Sequence, residues 1–118
     1  MKRILCLAPS LVMILPLTSL ASAEPVKATE KYVVAFSLKT ITNDAFQQAI
    51  ATAVEEACAA AGVEFILVTA GSETGVATQV TQLEDLLTRG VDALIVNPMD
   101  ANAVIPVLQK AKDKGVPV

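Results

Sequence analysis

Histidine is missing from all 118 residues of this chain, and that absence removes several chemistries at once. A Ser-His-Asp triad, a Cys-His pair and imidazole metal sites are all excluded. Cysteine is nearly as scarce, with two residues, Cys6 and Cys58. Cys6 lies in an N-terminal leader, so the rest of the chain holds one thiol and closes no internal disulfide. Glycine occupies five positions, and none of them builds a G-x-G-x-x-G fingerprint or a Walker A loop. The usual backbone cradle for a dinucleotide or a nucleoside triphosphate is therefore absent. Gly71 and Gly75 stand close together, but a turn explains them.

Positive charge is also in short supply. The leader carries Lys2 and Arg3, which leaves seven Lys/Arg against twelve Asp/Glu in residues 24–118, a net charge of −5. An acidic domain has no electrostatic reason to bind nucleic acid or an anionic membrane. Lys110, Lys112 and Lys114 are interrupted by Asp113 and read as a solvated helix end near the negative pole of its dipole. Neither the carboxylate pair Glu55-Glu56 nor Glu84-Asp85 reads as catalytic, because each sits mid-helix on a charged face. No cofactor or metal is expected.

The leader itself is well marked. Lys2-Arg3 precede an almost wholly apolar run from Ile4 to Leu17, and Ala21-Ser22-Ala23 has the small-x-small pattern of a cleavage site. Residues 1–23 therefore read as a secretory signal peptide cut after Ala23. The run is short for a membrane span and is broken by Pro9 and Pro16. Cys6 lacks the small residues before it that a lipobox needs. The mean hydropathy of +0.57 is inflated by this segment. A periplasmic domain without stable membrane insertion is the expectation, with 24–30 as a flexible lead-in.

Beyond the leader the chain is repetitive. Gly62-Val63, Gly90-Val91 and Gly115-Val116 each end a helical stretch, and the first two run straight into short apolar segments, Phe65 to Val68 and Ala93 to Val96. Val33 to Phe36 has the same character. Strands apolar on both faces and separated by helices predict an α/β fold, a parallel sheet with helices on both faces. The spacing predicts strands at 31–37, 63–69 and 91–96 and helices at 42–61, 75–89 and 101–114, with a fourth strand only begun. The first helix is capped by Thr42 or Asn43 and has an apolar stripe of Phe46, Ile50, Ala53, Val54 and Ala57. Cys58, on the same helix, reads as a small buried core residue. Asp100 caps the third helix.

Ligands in open parallel sheets bind beyond the carboxyl ends of the strands. That rule selects the loops 37–43, 69–74 and 97–100. Their lining is neutral and polar: Ser37, Thr40, Thr42, Asn43, Ser72 and Asn97, with Phe46 at the mouth of the first helix. Hydroxyls and amides bond directionally to uncharged polyols, and an aromatic face stacks on the C–H side of a sugar. Asn43 and Asp100 also serve as helix caps on this pattern, and Phe46 also fits as core.

Two segments carry a family resemblance, Tyr32 to Phe46 and Gln82 to Asp100, the second with Arg89-Gly90-Val91-Asp92-Ala93-Leu94-Ile95-Val96-Asn97-Pro98 as its most specific part. Together with Ala111 to Val118 they make residues 31–118 similar to the N-terminal lobe of type I periplasmic solute-binding proteins, the ribose-binding-protein-like group that feeds ABC sugar importers. In that group the first loop commonly reads Asn-Pro-Phe-Phe or Asn-Pro-Phe-Trp. Asn43 and Phe46 keep the Asn and one aromatic, with Asp44 and Ala45 between them. The resemblance implies a Rossmann-like lobe, incomplete at the C-terminus, and a ligand site containing Ser37, Asn43, Phe46 and Asn97. It also implies a sugar or related solute as ligand and a membrane permease as partner. The residues expected after strand four and the second lobe would fall beyond Val118, so the chain reads as a truncated product. A lac-repressor-type sensing lobe is the second class, opposed by the signal peptide. A small flavodoxin-like enzyme is the third, opposed by the missing phosphate loop and by the export signal.

Overall fold

The computed structural model describes residues 26–42, 44–71 and 75–118. The signal peptide expected over 1–23 lies outside them. Three strands alternate with three helices: β1 (Val33–Leu38), α1 (Ala45–Ala61), β2 (Glu64–Thr69), α2 (Val76–Arg89), β3 (Ala93–Val96) and α3 (Ala101–Asp113). The sheet is parallel throughout, in the order β2-β1-β3. Strand β1 is central. Its Ser37 pairs in register with Val68 on one side and Val96 on the other.

Alternation along the strands divides the core into two layers. Ala35 and Leu94 face one side, where they pack with Leu83, Leu86 and Leu87 of α2 and Val104, Val107 and Ala111 of α3. Phe36 and Leu38 face the other side, against Ala51, Ile50 and Val54 of α1. Helices thus cover both faces of one sheet, as the apolar runs predict.

The Gly-Val repeat has a single physical cause. Gly62 sits in the left-handed region at φ 72°, where a side chain would be strained. Its N–H bonds back to Ala59 O at 3.1 Å, and the N–H of Val63 reaches Cys58 O at 2.9 Å. This double bond is the Schellman ending of a helix. The same pair recurs at Gly115 and Val116, with bonds of 2.9 Å to Lys112 O and to Ala111 O. Val91 likewise donates to Leu86 O at 3.4 Å. In each case the valine N–H is spent on the helix, so β2 starts at Glu64 and β3 at Ala93, one and two residues later than the hydropathy predicts.

Two other expectations change. The cap of α1 is Asp44, whose Oδ1 accepts the Gln47 N–H at 3.1 Å. Thr42 instead turns its own N–H to Thr40 Oγ1 at 3.2 Å, and Asn43 lies outside the described residues. Cys58 is only half-buried, and with Val34, Ile50, Val54, Ala57 and Ile95 it lines an apolar groove of about 510 Å³ between α1 and the sheet. The groove exists because α1 lies over β1 and β2 and leaves Ile95 of β3 partly open.

Residues 116–118 form no strand, yet Leu94 N–H donates to Pro117 O at 2.9 Å, so the chain already lies along the outer edge of β3. At the start of α3, Asp100 Oδ1 accepts from both Asn102 N and Ala103 N, at 2.8 and 2.9 Å. Asp100→Ala leaves both donors to water. It is expected to lower the unfolding free energy by about 1 kcal/mol in urea titration, and an unchanged midpoint would contradict that assignment.

Candidate functional site

Because all three strands run the same way, their carboxyl ends, Leu38, Thr69 and Val96, lie at one edge of the sheet. Beyond that edge come residues 39–42, Ala70-Gly71 and 97–100. Nothing in this lining is a strong acid–base pair. Among the described residues there is no group of His, Cys, Asp or Glu able to hold a metal ion, and no helix is long and apolar enough to cross a membrane.

The edge is organised by Gln79, which the hydropathy pattern passes over. It lies on the second turn of α2 and is fully buried. Its Oε1 accepts the Met99 N–H at 2.8 Å, and its Nε2 donates to Asn97 O at 3.0 Å and to Ser37 Oγ at 3.2 Å. One side chain therefore ties α2 to the end of β1 and to the loop after β3. A buried amide with its atoms paired is stabilising, whereas removing one partner leaves a polar group unsatisfied.

A second glutamine works from the opposite side. Gln47, on the first turn of α1, is 5 % exposed, and its Oε1 accepts from Asn97 Nδ2 at 2.8 Å. Gln48 Nε2 closes the preceding loop by donating to Ile41 O at 2.9 Å. Both buried glutamines occupy apolar registers. Gln79 sits four and seven residues before Leu83 and Leu86, and Gln47 sits four and seven before Ala51 and Val54. A polar residue in the buried stripe was the available signal.

The four candidate residues meet different fates. Asn97 follows directly on the carboxyl end of β3, and its N–H donates to Ser37 O at 2.9 Å, so these two residues are adjacent. Ser37 itself is fully buried behind Gln79. Phe46, next to Gln47, is 69 % exposed on the first turn of α1 and belongs to neither core layer. Asn43 is outside the described residues, as is Ser72 of the second loop. Glu84 and Asp85 are exposed and paired with Lys110 and Arg89, as expected of a solvated helix face.

A parallel lobe with a neutral polar carboxyl edge is the frame in which the relatives of this chain fit. Residues 34–118 match the family described as periplasmic binding protein domain. The chain belongs to the periplasmic binding protein family. Within it, the ribose import binding protein RbsB of Bacillus subtilis is 30% identical over 75% of this chain and 28% of its own length. The D-ribose/D-allose-binding protein of Pseudomonas aeruginosa is 33% identical over 88% of this chain and 32% of its own length. Among solved structures, an ABC transporter solute-binding protein from a Bradyrhizobium, with Bis-Tris bound, superposes with a TM-score of 0.74 at 29% identity, covering 78% of this chain and 27% of that one. The chain thus spans about a third or less of the length of these periplasmic binding proteins, and its three-stranded lobe is part of such a fold.

Proposed function

We propose that this chain supplies one gripping face of a periplasmic receptor that captures a small neutral sugar or polyol and presents it to the membrane permease of an ABC importer. The observation that carries the reading is the composition of the carboxyl edge: a positioned amide at Asn97, an exposed aromatic at Phe46 and no metal-binding cluster among the described residues. Relatives named for binding ribose and allose support a carbohydrate ligand. They also support capture rather than catalysis, since they are binding proteins. The family and the leader sequence together support a periplasmic location for the exported domain.

In this reading Asn97 and Asn43 bond ligand hydroxyls and Phe46 stacks on the ring. Ser37 acts from behind, by holding Gln79. The test uses residues 34–118 in place of the matching segment of the Bacillus ribose-binding relative, titrated with D-ribose by calorimetry. Asn43→Ala is expected to weaken binding by about tenfold, the loss of one good hydrogen bond or slightly more. Glu84→Ala, on the charged outer face of α2, is expected to change nothing. Equal affinities for the parent chimera and Asn43→Ala would remove Asn43 from the site.

A further inference from the structure

We infer that Gln47 and Gln79 are positioning residues that hold Asn97 from two sides and leave its side-chain oxygen as the acceptor offered to ligand, so that the ligand group met there is a hydroxyl donor. This rests on Asn97 being a ligand contact, as in the proposed sugar receptor, and adds which atom does the contacting and what sets it.

Donor and acceptor chemistry fixes the Gln79 half of the arrangement, and the Gln47–Asn97 half follows the contact geometry. A backbone N–H only donates, so the Gln79 atom facing Met99 N must be oxygen. Its nitrogen then faces Asn97 O and Ser37 Oγ, both of which accept. The two requirements agree, and they lock the Gln79 amide in one orientation. Asn97 is held by its own three groups. Its N–H goes to Ser37 O, its carbonyl accepts from Gln79, and its Nδ2 donates to Gln47 Oε1. Gln47 is itself fixed at the start of α1, where Asp44 accepts its backbone N–H. Of the polar groups of Asn97, Oδ1 is the one that takes no partner among the described residues. An amide whose nitrogen is committed inward presents oxygen outward, and oxygen reads O–H rather than an ether or a carbonyl.

The positioning itself is tested on the chain without ligand, by NMR. In the parent protein the Asn97 Nδ2 proton bonded to Gln47 is expected to lie downfield of an ordinary side-chain amide proton. Gln47→Met is expected to remove that downfield shift, and Gln47→Glu, which keeps an accepting oxygen, to preserve it. Gln79→Met is expected to speed exchange of the Met99 amide by about tenfold. Urea titrations of the same variants separate this from simple packing. A space-filling role would lower the midpoints while leaving the Asn97 side-chain resonances in place, and that outcome would overturn the positioning role. The ligand-facing half is read in the chimera that carries residues 34–118 within the Bacillus ribose-binding relative, by adding ribitol, or its fully O-methylated ether, at high concentration. Ribitol is expected to shift the Asn97 side-chain signals and the ether is not. Equal shifts from both would overturn the acceptor assignment. No shift from either would sink the sugar reading and the ligand-facing half with it, while the exchange data still judge the two glutamines.

Discussion

Replacing Leu86 with alanine is expected to lower the unfolding free energy by about 3 kcal/mol, with a similar loss for Leu83→Ala. Both side chains are fully buried in the layer where α2 meets α3 and the sheet. Truncation removes the transfer energy of the methyl groups and leaves a cavity that a close-packed layer fills only in part. Domains of this size hold roughly 5–15 kcal/mol in total, and this sheet has three strands to share its core. Either substitution should therefore take away a large fraction of the margin, and circular dichroism in urea should show an early, shallow transition. Ile105→Ala is the control. Ile105 is 58 % exposed on α3, and its loss is expected to fall within about 0.5 kcal/mol. A Leu86→Ala protein as stable as Ile105→Ala would show that the α2 layer is not the core.

The sequence made the fold readable where residue type and period carry the same message. Leu83 and Leu87 on α2, and Val104, Val107 and Ala111 on α3, stand three or four residues apart and are all buried, as one apolar face of a helix requires. The parallel arrangement followed from strands apolar on both faces, and the layers of Ala35 and of Phe36 confirm it. Periodicity misjudged Phe46. It falls in phase with Ile50 and Val54, which do pack against the sheet, yet Phe46 is 69 % exposed, and the buried residue of that first turn is Gln47. The site was legible as a set of loops and not as a network. Gln47 and Gln79 are polar residues in buried phase, and a single sequence gives no way to tell a satisfied buried amide from an exposed one until the partners are seen. Those partners, Ser37, Asn97 and Met99, come from distant segments joined only by the sheet. The helix cap was missed for a smaller reason: Thr42, Asn43 and Asp44 are all competent caps, and the carboxylate at Asp44 took the role.

Residues 24–118 on their own are expected to give no calorimetric signal with D-ribose or D-allose at about millimolar concentration. The described candidate contacts, Asn97 and Phe46, lie at one edge of one sheet. A sugar resting there would keep much of its surface in water and would lack the bonds that an opposing face supplies. A micromolar site corresponds to about 8 kcal/mol of binding free energy. Each hydrogen bond forgone costs about 1 kcal/mol, so losing three or four would weaken binding by several hundredfold. Loss of stacking on the second side of the ring removes about 1 kcal/mol more, which carries the dissociation constant past about 1 mM. The positioned Asn97 does not compensate, because preorganisation cuts the cost of ordering a contact and does not add contacts. The comparison that isolates the effect is the chimera carrying residues 34–118 within the ribose-binding relative, which is expected to bind D-ribose where the separate lobe does not. Micromolar binding by residues 24–118 alone would show that a single face suffices, and would overturn the view that this edge is half of a cleft.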